Sequence, residues 1–260
     1  MEYKMGNQTQ LSDKLLNYLY ISTLKLKAKK MFKSLINLLF PKVCLGCNSF
    51  LETNETVICT NCRHELPLTN YHLEAENELT KKFYGRIEIQ FGSAMIYYHK
   101  KGIAHELIHN LKYHRHQEIG TFLGNWYAED LKNLEITKTF DVIIPVPLHK
   151  KRLKERGYNQ VATFAKALSE NLDIAYDDSI LVRNIYSKTQ TQKNFLGRTD
   201  VSKDVFGTNF TEENHGKHFL LIDDVITTGS TLEACARVLL KIPNAKLSII
   251  SISDTHNMGF

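Results

Sequence analysis

The apolar positions of this chain fall into short unbroken runs and longer helical stripes. Residues 219–222 (FLLI) are continuously apolar, and so are residues 142–144 within the stretch DVIIPVPL at 141–148. Short apolar runs without polar alternation predict strands buried on both faces, as in a parallel sheet. Strands are expected near 141–146, 179–183, 218–223 and 246–252, and residues 86–98 alternate enough for another, with Gly92 as a bend or bulge. Helical spacing places Ile103, Leu107, Ile108 and Leu111 on one face of a helix over 102–113. It does the same for Phe122, Leu123, Trp126 and Leu131 over 118–134. A further helix should run to Leu172, and Leu232, Ala236, Leu239 and Leu240 mark one that begins after Thr231. Strands alternating with helices predict an α/β fold with a parallel core sheet flanked by helices.

The N-terminal third reads differently. Residues 1–13 carry no periodic pattern and are expected to fray. Residues 15–40 interleave Leu15, Leu19, Leu24, Phe32, Leu35 and Leu39 with Lys25, Lys27, Lys29, Lys30 and Lys33, which predicts an amphipathic helical extension with a basic face. Its expected role is packing on its own domain with the lysines solvated; peripheral contact with a membrane surface, or a partner helix, is the alternative. Pro41 closes that segment, giving three regions: 1–40, a small module at 41–68, and the α/β domain over 69–260, whose first part, 69–82, reads as a polar linker.

Composition narrows the class only modestly. With 260 residues, 43% hydrophobic and 23% charged, the chain has the make-up of a globular protein, and its net charge of +5 permits nucleic-acid contact without requiring it. No apolar run approaches transmembrane length and no secretory signal is read, so the cytoplasm is the expected address. Four of the five cysteines form two C-x-x-C pairs, Cys44/Cys47 and Cys59/Cys62, separated by eleven residues. Paired knuckles at that spacing suit one tetrahedral Zn²⁺, and four protein thiolates leave no open position for catalysis at the metal. A small N-terminal zinc ribbon is therefore expected. Cys235 reads as a small core residue, and His105, His109, His114 and His116 as solvated side chains without a completed ligand set.

The most informative stretch follows the apolar run at 219–222. Asp223 and Asp224 close the expected strand, and Thr227, Thr228, Gly229, Ser230 and Thr231 open the next helix. Free amides at a helix N-terminus form an anion site, glycine permits close backbone approach, and the hydroxyls add donors. Two carboxylates beside it suit a polyol or a divalent cation. A phosphate cradle next to diol-binding acids describes a 5-phosphoribosyl group. No Gly-Lys-Ser/Thr follows and no G-x-G-x-x-G is present, so neither a Walker A loop nor a dinucleotide fingerprint is supported. The competing reading is an ordinary helix capped by Ser230 or Thr228. At the second strand, two prolines fix a loop at the edge where ligand crevices form in open α/β sheets. The dense positive charge of His149, Lys150, Lys151, Arg152, Lys154 and Arg156 that follows suits a pyrophosphate or a nucleic-acid backbone.

The acidic pair and the T-T-G-S-T loop resemble the motif with which type I phosphoribosyltransferases bind 5-phosphoribosyl-1-pyrophosphate (PRPP). The wider set resembles the ComF family, phosphoribosyltransferase-like proteins of bacterial competence. It comprises the Cys₄ module, Leu111-Lys112-Tyr113, Pro145-Val146-Pro147-Leu148, Arg156-Gly157-Tyr158-Asn159-Gln160, Gln192 with Arg198, and the PRPP motif. Val201-Ser202 ahead of Val205-Phe206 departs from the family pattern, and residues 1–40 exceed it.

The resemblance implies a type I phosphoribosyltransferase-like domain in which Asp223, Asp224, Val225, Thr227, Thr228, Gly229, Ser230 and Thr231 bind PRPP. It implies that Pro145, Val146, Pro147, Arg152 and Arg156 face the pyrophosphate, with Mg²⁺ accompanying PRPP. No residue stands out as a nucleophile. Three functions are compatible with these features: support of DNA uptake with single-stranded DNA and competence proteins as partners, pentosyl transfer to a nucleobase-like acceptor, and PRPP sensing. Tyr97, Tyr98, Tyr113 and Tyr158 near the basic cluster suit single-strand binding.

Overall fold

The computed structural model describes residues 41–183 and 205–255. The basic extension expected over 15–40, the Gln192/Arg198 segment and Val201-Ser202 lie outside the described residues. The chain divides into two compact units, one holding residues 41–44 and 48–59 and the other holding 45–47 and everything described from Thr60 onward.

In the smaller unit Val43 and Phe50 form an antiparallel bridge. The turn between them is closed by the Asn48 amide on the Cys44 carbonyl at 2.8 Å and the Cys44 amide on the Ser49 carbonyl at 2.7 Å. Asn48 takes the left-handed conformation, φ 61°, that such a tight reversal needs. The Cys59 amide donates to the Cys44 sulphur at 3.2 Å.

The larger unit is built on five parallel strands: β1 (Phe91–Tyr97), β2 (Val142–Pro145), β3 (Ala175–Tyr176), and, after the pair described below, β6 (His218–Ile226) and β7 (Lys246–Asp254). Their order across the sheet is β1-β7-β6-β2-β3. The apolar runs sit at its centre, with Val142 opposite Phe219 and Pro145 opposite Ile222. Phe219 and Leu221 are fully buried in a cluster with Leu232, Cys235, Ala236 and Leu239 of the helix Ser230–Leu239. Leu220 and Ile222 alternate to the opposite face and are equally buried. That face is covered by the helices Glu118–Leu131 and Ala162–Leu172, which meet where a Cβ on Gly124 would stand 2.7 Å from Ala167 Cβ. Tyr127 of the first helix shares a 2.6 Å hydrogen bond with Ser93 of β1.

Four sequence expectations change. Residues 181–183 form β4 (Leu181–Arg183), which pairs antiparallel with β5 (Phe206–Thr208) and stays out of the parallel sheet. The basic stretch after β2 is a helix, Lys150–Arg156, closed by Gly157 at φ 81°. The segment read as a polar linker holds a 3₁₀ turn, Tyr71–Leu73, and a short helix, Glu78–Lys81, set by an Asn77/Thr80 capping box. It is anchored because Leu79 and Phe83, isolated apolar residues in a polar context, are fully buried. Gly92 is no bulge, since β1 stays in register with Ile249 opposite it; a Cβ there would lie 2.8 Å from Leu79 Cδ2. The helices at 102–113 and 118–134 form as Ile103–Tyr113 and Glu118–Leu131.

Candidate functional site

After β2 the chain turns to β3 on one side, whereas β6 is followed by β7 on the other. The carboxyl ends of β2 and β6 therefore flank the point where strand order reverses, the usual crevice of an open parallel sheet. A cleft of about 740 Å³ opens there, lined by Tyr98, Lys112, Val146, Pro147, Arg152, Arg156, Gln160, Asp223, Asp224, Val225, Thr227 and Thr231 among others. Thr228, Gly229 and Ser230 wrap a small adjoining pocket of about 50 Å³, which Asp223, Val225, Thr227 and Thr231 also line. Of the residues expected to face the ligand, Pro145 alone lines neither pocket; it is buried in β2 opposite Ile222.

Asp224 is the buried member of the acidic pair, and two side chains hold it. Lys112 Nζ lies 3.1 Å from its Oδ1, and Gln160 Nε2 donates to its Oδ2. Gln160 accepts in turn from Arg156 Nη1 at 2.6 Å, and the Arg156 guanidinium lies over the Tyr113 ring, 5.2 Å from its centroid. Tyr158 donates its hydroxyl to the Leu111 carbonyl, and Asn159 Nδ2 donates to the Val146 carbonyl at 3.0 Å. Leu111-Lys112-Tyr113 and Arg156 to Gln160 are thus one hydrogen-bonded frame that fixes Asp224 and the loop after β2. Both motifs stood out in the sequence. Their service to Asp224 did not, because 48 positions separate Lys112 from Gln160 along the chain.

Asp223 is half-buried and accepts the Asp224 amide at 2.8 Å. Desolvation, and secondarily the neighbouring Asp224 charge, push its carboxyl from the ordinary 3.8 up to about 7, against the opposing pull of the Asp224 amide and Lys112. An acid so placed gains from a hydroxyl or cation brought into the cleft, since either favours the charged form.

The loop after Ile226 does not behave as a merely capped helix. Gly229 occupies the N-cap position at φ 77°, without a side-chain cap. Among the described residues, the amides of Thr227, Thr228 and Gly229 donate to no protein acceptor. Thr227, Thr228, Ser230 and Thr231 are exposed, with Thr228 Oγ1 and Ser230 Oγ 2.9 Å apart. Packing and backbone conformation also require Gly229, besides the expected close approach to an anion. A Cβ on it would point inward, 3.0 Å from Cε1 of the buried Phe83.

The four knuckle cysteines Cys44, Cys47, Cys59 and Cys62 have their sulphurs within 4.8 Å of one another. Four convergent thiols form a donor set that fits a tetrahedral, soft-ligand metal site. Among the described residues this is the one such group, and the histidines contribute to none. Instead the His105 and His109 rings stack at 5.8 Å, and His116 pairs with Glu118. Cys235 is buried beneath the cleft with its thiol pushed well up by desolvation, as a core residue should be. Among the described residues no helix is long and apolar enough to cross a membrane.

Comparison with known proteins agrees with this geometry. A phosphoribosyl transferase domain model matches residues 161–253. The chain is 28% identical over 218 residues to the DNA utilization protein YhgH of Shigella flexneri, covering 82% of this chain and 90% of that protein. It is 27% identical over 208 residues to competence protein F of Haemophilus influenzae, covering 76% and 91%. It is 28% identical over 200 residues to competence protein ComFC of Bacillus subtilis, covering 77% and 78%. Together with the cleft at the carboxyl ends of β2 and β6, these matches support the ComF family of phosphoribosyltransferase-domain proteins as the one this chain resembles.

Proposed function

We propose that the cleft binds PRPP. Thr227 to Thr231 take the 5-phosphate on backbone amides and hydroxyls, Asp223 and Asp224 take the ribose hydroxyls, and the loop at Val146 and Pro147 with Arg152 and Arg156 faces the pyrophosphate. One observation carries the reading: Lys112 and Gln160 together hold the buried Asp224 in the cleft, directly before a loop in which, among the described residues, the amides of Thr227, Thr228 and Gly229 donate to no protein acceptor. Magnesium accompanying PRPP would neutralise charge on the pyrophosphate, and the carboxylates of the acidic pair are the oxygen donors nearest that role. If pentosyl transfer occurs, the residues present suit positioning and charge stabilisation rather than covalent catalysis. The Cys₄ cluster is assigned to a structural Zn²⁺.

In the cell, the competence and DNA-utilization names of the relatives support a role in DNA uptake during natural transformation, acting on single-stranded DNA or with its handling proteins. Active transfer to a nucleobase-like acceptor is the alternative. Isothermal titration with Mg–PRPP tests the site. The wild-type protein should bind, and Asp223→Asn with Asp224→Asn should weaken binding by about tenfold or more, since each lost charge-assisted hydrogen bond is worth about 1.5–3 kcal/mol. Undiminished binding by the double variant would remove the ribose assignment.

A further inference from the structure

Amides can serve an anion only if the peptide planes that carry them are held in the right sense. Across a trans peptide the carbonyl of one residue and the N–H of the next point in opposite directions. Fixing the Thr227 carbonyl therefore fixes the Thr228 amide, and fixing the Thr228 carbonyl fixes that of Gly229.

Both carbonyls are fixed by one short segment. Lys82 Nζ lies 3.0 Å from the Thr227 carbonyl oxygen. Arg86 Nη1 donates to the Thr228 carbonyl at 3.0 Å and to the Lys82 carbonyl at 2.8 Å. Neither side chain lines the cleft or the small pocket, so both act on the loop from outside it. Between them in sequence, Phe83 packs beneath Gly229. Lys82 pairs one-to-one with the fully buried Asp254, whereas Arg86 shares Glu233 with Arg237, which binds it at 2.6 Å, so that trio keeps one positive charge. The contribution of Lys82 to the loop is therefore directional, and that of Arg86 is directional with part of a positive charge beside it.

We infer that Lys82 and Arg86 are positioning residues for the anion-binding amides of Thr228 and Gly229, an inference that rests on reading the Thr227–Thr231 loop as the 5-phosphate site. The region before β1 thereby becomes a working part of the site rather than a connection to it.

The test titrates ribose 5-phosphate and inorganic pyrophosphate separately into the full-length wild-type protein, Arg86→Met and Arg86→Lys. Arg86→Met should lose about tenfold in affinity for ribose 5-phosphate, the low end for a hydrogen bond to a charged group, because its effect is transmitted through one peptide plane. Its affinity for pyrophosphate should be unchanged, and Arg86→Lys should recover part of the loss. A general loosening of the fold would instead weaken both ligands. Equal losses for the two ligands, or no loss for ribose 5-phosphate, would overturn the inference. Wild-type protein that binds pyrophosphate but not ribose 5-phosphate would overturn the 5-phosphate reading itself, and the inference with it. Should Arg86→Met melt below the assay temperature, Arg86→Lys carries the test. Its single amine cannot span the Thr228 carbonyl, the Lys82 carbonyl and Glu233 at once, so a smaller loss confined to ribose 5-phosphate is expected, and its absence would be equally fatal.

Discussion

Replacing Asp223 by Asn should stabilise the unliganded protein at neutral and alkaline pH while costing it ligand. The folded state raises this carboxyl from 3.8 to about 7, chiefly by desolvation. Between those two values the folded chain holds a proton that the unfolded chain has released. Stability therefore falls as pH rises through that window, and the penalty is complete above pH 7. At about 1.4 kcal/mol per unit, a rise of about three units sets a ceiling of about 4 kcal/mol. Asp223 is only half-buried and shares its field with Asp224, so solvent screening reduces this to about 2 kcal/mol. Asn has nearly the same shape, and its Oδ1 can still accept the Asp224 amide, so the variant removes the charge without opening a cavity. At pH 8 Asp223→Asn should then melt about 4–8 °C above wild type, and near pH 4 the two should coincide. Thermal unfolding followed by circular dichroism from pH 4 to pH 8 reads both quantities. Parallel pH profiles for the two proteins, or a variant less stable at pH 8, would refute the reasoning. A residue whose removal stabilises the fold and weakens ligand is what a site kept for function looks like.

Two further outcomes follow from charge placement and from the cysteine cluster. Lys150, Lys151 and Lys154 are exposed on the helix beside the cleft, so exchanging all three for Glu should lower the low-salt affinity for a labelled single-stranded oligonucleotide regardless of its sequence. Fluorescence anisotropy checks this, and binding that survives the exchange would move the strand elsewhere. Purified, reduced protein should carry one Zn²⁺ per chain by elemental analysis, and Cys44→Ser should lose both the metal and the local fold of the module, because metal binding is folding energy there. Metal-free wild-type protein would end the zinc assignment.

The sequence alone determined those parts of this protein whose physics is local. An apolar run such as 219–222 can be satisfied only by burial on both faces, so the central strand and its neighbour at 142–145 were legible. The acidic pair and the hydroxyl loop were legible for the same reason, since they are adjacent in the chain and adjacent at the strand end. Two C-x-x-C pairs announced a thiolate cluster, and the four sulphurs do come together. Tertiary structure decided everything that depends on partners distant in sequence. Residues 179–183 had a strand's composition, but only the pairing with Phe206–Thr208 kept them out of the main sheet. The basic stretch at 150–156 carries no apolar stripe, so its helix was invisible to periodicity. Residues 69–82 read as a linker because Leu79, like Phe83 just beyond them, is a lone apolar residue in a polar context. Burial of both against β1 and the phosphate-type loop turned that linker into a support. Finally, Asp224 as a held carboxylate and Lys82 and Arg86 as holders of backbone carbonyls exist only once the sheet brings its carboxyl edge together, because a hydrogen bond across more than a hundred residues leaves no periodic trace in the sequence.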